Sequence, residues 1–139
     1  MEKNSCPFVP NFLLGCAGGI QYLSLKKASR NPRKSQEKTL RAILTYARDT
    51  EYGKEHHFAE ILEAPTDTEL FVRYQKYVQL NDYEDIRPYV EKHKNGGENI
   101  LFPGKPLMYA TTSGTTNEPK WVPITKEYLN NIYGKMTKV

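Results

Sequence analysis

The 139 residues include 20 Lys and Arg against 16 Asp and Glu, for a formal net charge of +4, with 38% hydrophobic residues, ten Tyr and two Cys. A chain of this size has room for one hydrophobic core and not two, and its apolar content exceeds that of a solvated, disordered tail. No run approaches the ~20 consecutive apolar residues of a membrane span. Cys6 and Cys16 lack paired spacing and neighbouring His, which argues against a zinc site or disulfide scaffold and for free thiols in a reducing compartment.

Leu13-Leu14-Gly15-Cys16 has the small-residue-then-Cys pattern of a lipoprotein cleavage site. However, Asn4, Pro7, Pro10 and Asn11 break up the apolar run of about 7–15 residues that a signal peptide needs, so a cytoplasmic chain is expected. Residues 1–24 are left as an unassigned segment. Residues 26–48 hold eight basic residues against Glu37 alone, while the remainder of the chain is slightly acidic. Asn31-Pro32 is a helix start, a capping side chain followed by a proline whose missing N–H costs nothing in the first turn. Leu40, Ile43, Leu44 and Ala47 then recur at i, i+3, i+4 and i+7 as an apolar stripe, with Lys34, Lys38, Arg41 and Arg48 gathered away from it. An amphipathic helix with a solvated basic face is expected. Neither interleaved aromatics nor a nucleic-acid-binding motif accompanies that face, so no nucleic-acid and no membrane partner is expected.

A turn is predicted at Gly53, followed by an apolar patch of Phe58, Ile61 and Leu62. The adjacent His56 and His57 have no third ligand at suitable spacing and read as ordinary surface histidines. Pro65 ends the patch, and Thr66 or Asp67 caps a helix carrying Leu70, Phe71, Tyr74 and Tyr77. Its partner starts at Asn81-Asp82, carries Tyr83, Ile86, Tyr89 and Val90, and ends before Gly96-Gly97, with Pro88 near its first turns. These tyrosines read as core residues with a wet hydroxyl end. Residues 101–104 form a turn, and residues 107–112 and 121–125 are predicted strands. From Lys126 a helix carrying Leu129, Ile132, Tyr133 and Met136 runs to Val139 without a glycine cap, so the chain is expected to be truncated there.

Between the two strands lies Thr111-Thr112-Ser113-Gly114-Thr115-Thr116-Asn117-Glu118-Pro119-Lys120. Backbone N–H groups in a tight turn form an anion-binding concavity, and a glycine lets the main chain approach a phosphate closely. The hydroxyls of Thr112, Ser113, Thr115 and Thr116 add donors, and Lys120 adds a point charge, a set that suits a triphosphate. The P-loop pattern G-x-x-x-x-G-K-[ST] occurs nowhere in the chain. The same residue types also suit an ordinary strand-to-strand turn.

The order Thr112-Ser113-Gly114-Thr115-Thr116-x-x-Pro119-Lys120 resembles the phosphate-binding signature of adenylate-forming enzymes. That signature usually has a small residue where this chain has Asn117, but the stretch before the lysine is variable in the auxin-responsive acyl acid amido synthetase family. Further blocks are similar to that family: Asn31-Pro32, Gln36-Glu37-Lys38, residues 47–54, Asn81-Asp82-Tyr83-Glu84-Asp85-Ile86-Arg87-Pro88-Tyr89, Asn99-Ile100-Leu101-Phe102-Pro103-Gly104-Lys105, and the strand Trp121-Val122-Pro123-Ile124-Thr125. The resemblance runs from about Leu25 to the end of the chain.

The resemblance implies an α/β fold in which a helical amino-terminal region leads into the first strands of an adenylate-forming domain. That domain is incomplete, and residues 25–139 are its amino-terminal part. It further implies a two-step ligase reaction: a carboxylic acid attacks the α-phosphorus of ATP to give an acyl-adenylate and pyrophosphate, and an amine or amino acid then takes the acyl group. In that reaction Ser113, Thr115 and Thr116 would donate to phosphate oxygens, alongside Thr112. Gly114 would admit the backbone, Lys120 would offset charge, and Mg2+ would be held mainly by the phosphates. No catalytic residue and no metal ligand is implied within this chain. Two alternatives stand beside this: a non-catalytic module that binds an anionic partner through the basic helix, and a fragment of an acyl-CoA ligase. The sequence does not set an oligomeric state.

Overall fold

The computed structural model describes residues 8–112 and 119–133, with side chains over 18–112 and 119–130. The described residues fall into two compact units, Arg33–Lys126 and a second comprising residues up to Pro32 and from Glu127 on. In the second unit, helix α1 runs from Phe8 to Ser29 and a π-helical turn spans Tyr128–Tyr133. No helix was predicted over residues 8–24. Pro10 is tolerated because the first turn of a helix has no intrahelical acceptor for its N–H groups. Lys26 and Lys27 lie in the last turn of α1, where cations favour the carbonyl end of the helix dipole.

All of α2 (Pro32–Ala47) but its first residue lies in the larger unit, and its proline occupies the first helical position as predicted. Leu44 and Ala47 are buried, but Ile43 is 56% exposed, so the apolar stripe is narrower than its spacing suggests. Arg41, expected on the solvated basic face, is instead partly buried: it pairs with Glu37 one turn back, and its two terminal nitrogens donate to Leu62 O and Ala64 O, each at 3.4 Å. It thereby satisfies orphan carbonyls at the end of another helix.

Short helices α3 (Glu51–Glu55) and α4 (Phe58–Leu62) follow, then α5 (Asp67–Tyr77) and α6 (Tyr83–Lys94). The core gathers Leu44, Ala47, Phe58, Ile61, Ala64 and Leu70, with Tyr52, Tyr74 and Tyr77 packed against it. Gly53 does not form the predicted turn. It is buried within α3 against the end of α2, where an added Cβ would collide with Ala47 O and lie 2.9 Å from Arg48 O. Thr66 caps α5 by accepting from Glu69 N–H, and Asp82 and Asp85 form a reciprocal capping box on α6. Both starts agree with prediction.

The segment after α6 is held by backbone bonds from distant residues. Glu51 N–H donates to Asn99 O at 2.8 Å and Tyr52 N–H to Ile100 O at 3.0 Å, so residues 99–100 satisfy the free amides at the start of α3. His93, only 3% exposed, receives Leu101 N–H on Nε2 at 3.1 Å, has Nδ1 3.1 Å from Gly97 O, and stacks on Phe102.

Strands β1 (Met108–Thr111) and β2 (Trp121–Ile124) pair antiparallel, with Thr111 opposite Trp121 and Met108 opposite Ile124. The expected helical region leading into strands is present in part: the described residues are mostly helical with one two-stranded antiparallel sheet. This is compatible with an amino-terminal part of a larger domain, and the wider sheet of an adenylate-forming fold is not among the described elements.

Candidate functional site

The hairpin formed by β1 and β2 carries the hydroxyl-rich loop. Of the six residues assigned to phosphate binding, Ser113, Gly114, Thr115 and Thr116 lie outside the described residues, while Thr112 and Lys120 are described and form the loop base. Thr112 N–H donates to Lys120 O at 3.1 Å, which extends the ladder beyond the Thr111–Trp121 pair and brings the two ends of the loop together. Both residues are exposed.

The base rests against the first turn of α6. Trp121 N–H donates to the Tyr83 hydroxyl at 2.7 Å, and that hydroxyl lies 3.3 Å from Trp121 O, to which it donates. Lys94, at the other end of α6, sits 4.4 Å from the centre of the Trp121 ring, which meets Tyr109 edge-to-face. The Lys120 ammonium lies 5.4 Å from the centre of the Tyr83 ring, and the Arg87 guanidinium 5.1 Å from the same ring. Arg87 also makes two bonds to Glu84, at 2.7 and 2.9 Å. Those bonds, aided by the charges of Arg87 and Lys120, hold the Glu84 carboxyl below its usual range.

Among the described residues, the Lys120 ammonium lies against the Tyr83 ring and its charge acts on the Glu84 carboxyl. An exposed cation–π contact is worth ~0.5–1 kcal/mol, whereas a hydrogen bond to a charged group contributes ~1.5–3 kcal/mol. A contact of that size leaves the ammonium able to turn to a stronger acceptor. β2 packs against α6 through Trp121 and Tyr83, a pairing that no motif within residues 111–120 could have indicated.

The GH3 family N-terminal domain matches residues 21–138. The chain belongs to the GH3 family. It is similar to a probable indole-3-acetic acid-amido synthetase, GH3.13, of Oryza sativa subsp. japonica, with 32% identity over 68% of this chain and 21% of the relative. It is also similar to indole-3-acetic acid-amido synthetase GH3.15 of Arabidopsis thaliana, with 33% identity over 76% of this chain and 17% of the relative. A jasmonoyl-L-amino acid synthetase, JAR4, of Nicotiana attenuata is 28% identical over 74% of this chain and 17% of its own length. The chain thus spans about a fifth of the length of these relatives. No solved structure matches it.

Elsewhere in this GH3 chain, His56 stacks on Tyr52 with ring centres 3.9 Å apart, and His57 pairs with Glu60 at 2.8 Å. Among the described residues no group of three His, Cys, Asp or Glu is arranged to hold a metal ion. No described helix is long and apolar enough to cross a membrane. The basic face of α2 is diluted, because Arg41 is turned to Glu37 and to backbone carbonyls and Arg48 forms a fork with Asp49 at 2.9 and 3.1 Å. Tyr83, expected as a core residue with a wet hydroxyl end, instead bonds the backbone of Trp121. Its signal was present in the Asn81-Asp82-Tyr83 block, but its partner Trp121 is 38 residues away.

Proposed function

We propose that this GH3 chain is the amino-terminal part of an ATP-dependent acyl acid amido synthetase, in which Thr112, Ser113, Gly114, Thr115, Thr116 and Lys120 bind the β- and γ-phosphates of ATP. The observation that carries this is the closed loop base, with an exposed Lys120 at the end of a run of hydroxyl residues. The relatives, two indole-3-acetic acid-amido synthetases and a jasmonoyl-L-amino acid synthetase, support carboxylic acid and amino acid substrates for the whole enzyme. Magnesium would ride on the phosphates. This accords with Glu84, the carboxylate on which Lys120 acts, being already engaged by Arg87.

Bound ATP supplies the phosphorus centre that the acid attacks and the pyrophosphate that leaves. The loop's part is to fix the leaving phosphates so that the attack is in line, and to neutralise the charge that builds up on them. This stretch by itself is expected to bind phosphate without completing a turnover. The test is titration of the 15N-labelled chain with pyrophosphate and with MgATP. Amide shifts should cluster within residues 111–121, and Lys120→Ala should weaken binding by about tenfold or more, the scale of a lost charge-assisted contact. Absence of binding, or shifts confined to other segments, would overturn the assignment.

A further inference from the structure

From the geometry at the base of the loop we infer that Tyr83 is a positioning residue for the phosphate loop: one side chain sets where β2 begins and where Lys120 rests. The inference builds on the phosphate-loop assignment above. A tyrosine that buries its ring usually satisfies its hydroxyl with one partner, as Tyr52 does with Asn81 and Tyr89 with Glu55. Tyr83 instead spends its hydroxyl on both backbone groups of a single residue, accepting from Trp121 N–H at 2.7 Å and donating to Trp121 O at 3.3 Å.

Trp121 is the first residue of β2 and directly follows Lys120. Locking both its amide and its carbonyl constrains the backbone from which the lysine side chain departs. The ring of the same tyrosine then provides the surface on which the Lys120 ammonium lies, 5.4 Å from its centre. Tyr83 is itself well anchored. It is the first residue of α6, immediately after the Asp82 cap, and its ring is covered by Arg87, which two bonds to Glu84 hold in place.

The arrangement makes Tyr83 act through Lys120 and not on a ligand directly. A preorganised lysine loses less freedom when it meets a phosphate, so removing the hydroxyl should cost anion affinity even though no contact to the anion is deleted. Tyr83→Phe keeps the ring under Lys120 and frees Trp121. Tyr89→Phe is the matched control, because its hydroxyl on the same helix bonds Glu55, away from the loop.

The experiment is calorimetric or NMR titration of the full chain with pyrophosphate, with amide hydrogen exchange at Trp121 as the accompanying measurement. Tyr83→Phe should raise the dissociation constant by about three- to tenfold and speed exchange at the Trp121 amide, while Tyr89→Phe should do neither. In a Lys120→Ala background the Tyr83→Phe effect on binding should vanish, the mark of two residues acting as one unit. Binding by the unsubstituted chain that survives Tyr83→Phe unchanged overturns the role of Tyr83 alone. So does a loss of equal size with and without Lys120. Failure of the unsubstituted chain to bind pyrophosphate overturns the phosphate-loop assignment, and the positioning role with it.

Discussion

Replacing Gly53 by alanine pits intrinsic propensity against packing. In an isolated helix the change would stabilise by ~1 kcal/mol, because alanine loses less backbone entropy. In this chain Gly53 lies buried in α3 where the backbone passes over the end of α2, and the new methyl would meet two backbone oxygens, Ala47 O and Arg48 O, neither of which can swing aside as a side chain could. Overpacking of this kind costs ~1–3 kcal/mol. Ala47 O also accepts from Thr50 N–H at 3.1 Å and from the Thr50 hydroxyl at 2.6 Å, and that hydroxyl caps α3 by accepting from Gly53 N–H at 3.0 Å. A shift of Ala47 therefore also weakens a cap worth ~1 kcal/mol.

The cap loss roughly cancels the propensity gain, so the net change is a destabilisation of about 2 kcal/mol. For a chain of this size that corresponds to a fall in melting temperature of about 8 °C. Urea and thermal unfolding followed by far-ultraviolet circular dichroism and Trp121 fluorescence would measure it. Gly19→Ala in α1, where an added Cβ meets nothing within 4 Å, is the control and should be neutral or stabilising by up to ~1 kcal/mol. A Gly53→Ala variant as stable as the parent would refute the packing argument.

Stability should also depend on pH through His93. Leu101 N–H donates to Nε2, so the neutral ring carries its proton on Nδ1 and gives it to Gly97 O, and burial pushes the pKa below its usual 6.5, the Gly97 bond opposing. A depressed base is a stability contribution present above the unfolded pKa and lost as pH falls below about 6.5 through the folded pKa. The urea midpoint should fall between pH 7.5 and 5.5 more steeply in the parent than in His93→Gln, and parallel slopes would exclude His93 as the cause. Arg41→Ala should destabilise by ~1–3 kcal/mol, because it leaves the largely buried Glu37 unpaired and strips partners from Leu62 O and Ala64 O. Arg41→Lys should recover less than half of that, since a point charge cannot span two carbonyls. Chemical denaturation would show it, and full rescue by lysine would mean the fork is unimportant.

Much of the helical framework was legible in the sequence because it rests on interactions within a single turn. Pro32 at a first helical position, Thr66 capping α5, and Asp82 with Asp85 boxing the start of α6 each involve residues no more than three apart, so they act before any tertiary contact forms. The two strands flanking the loop were likewise marked by β-branched and aromatic residues. The loop's composition and residue order pointed to the family, which the match over residues 21–138 bears out.

What the tertiary structure decided are the contacts between distant residues. Gly53 reads as a turn until the end of α2 is seen lying against it. Arg41 reads as a solvated cation until the carbonyls of residues 62 and 64 arrive beside it, more than twenty positions on. His93 carries no pattern of its own, and Tyr83 none that links it to Trp121. Spacing along the chain encodes which face of a helix is apolar and which side chain can cap its end. Only packing determines which distant backbone groups are left without water, and those groups fix the positions of Arg41, His93 and Tyr83.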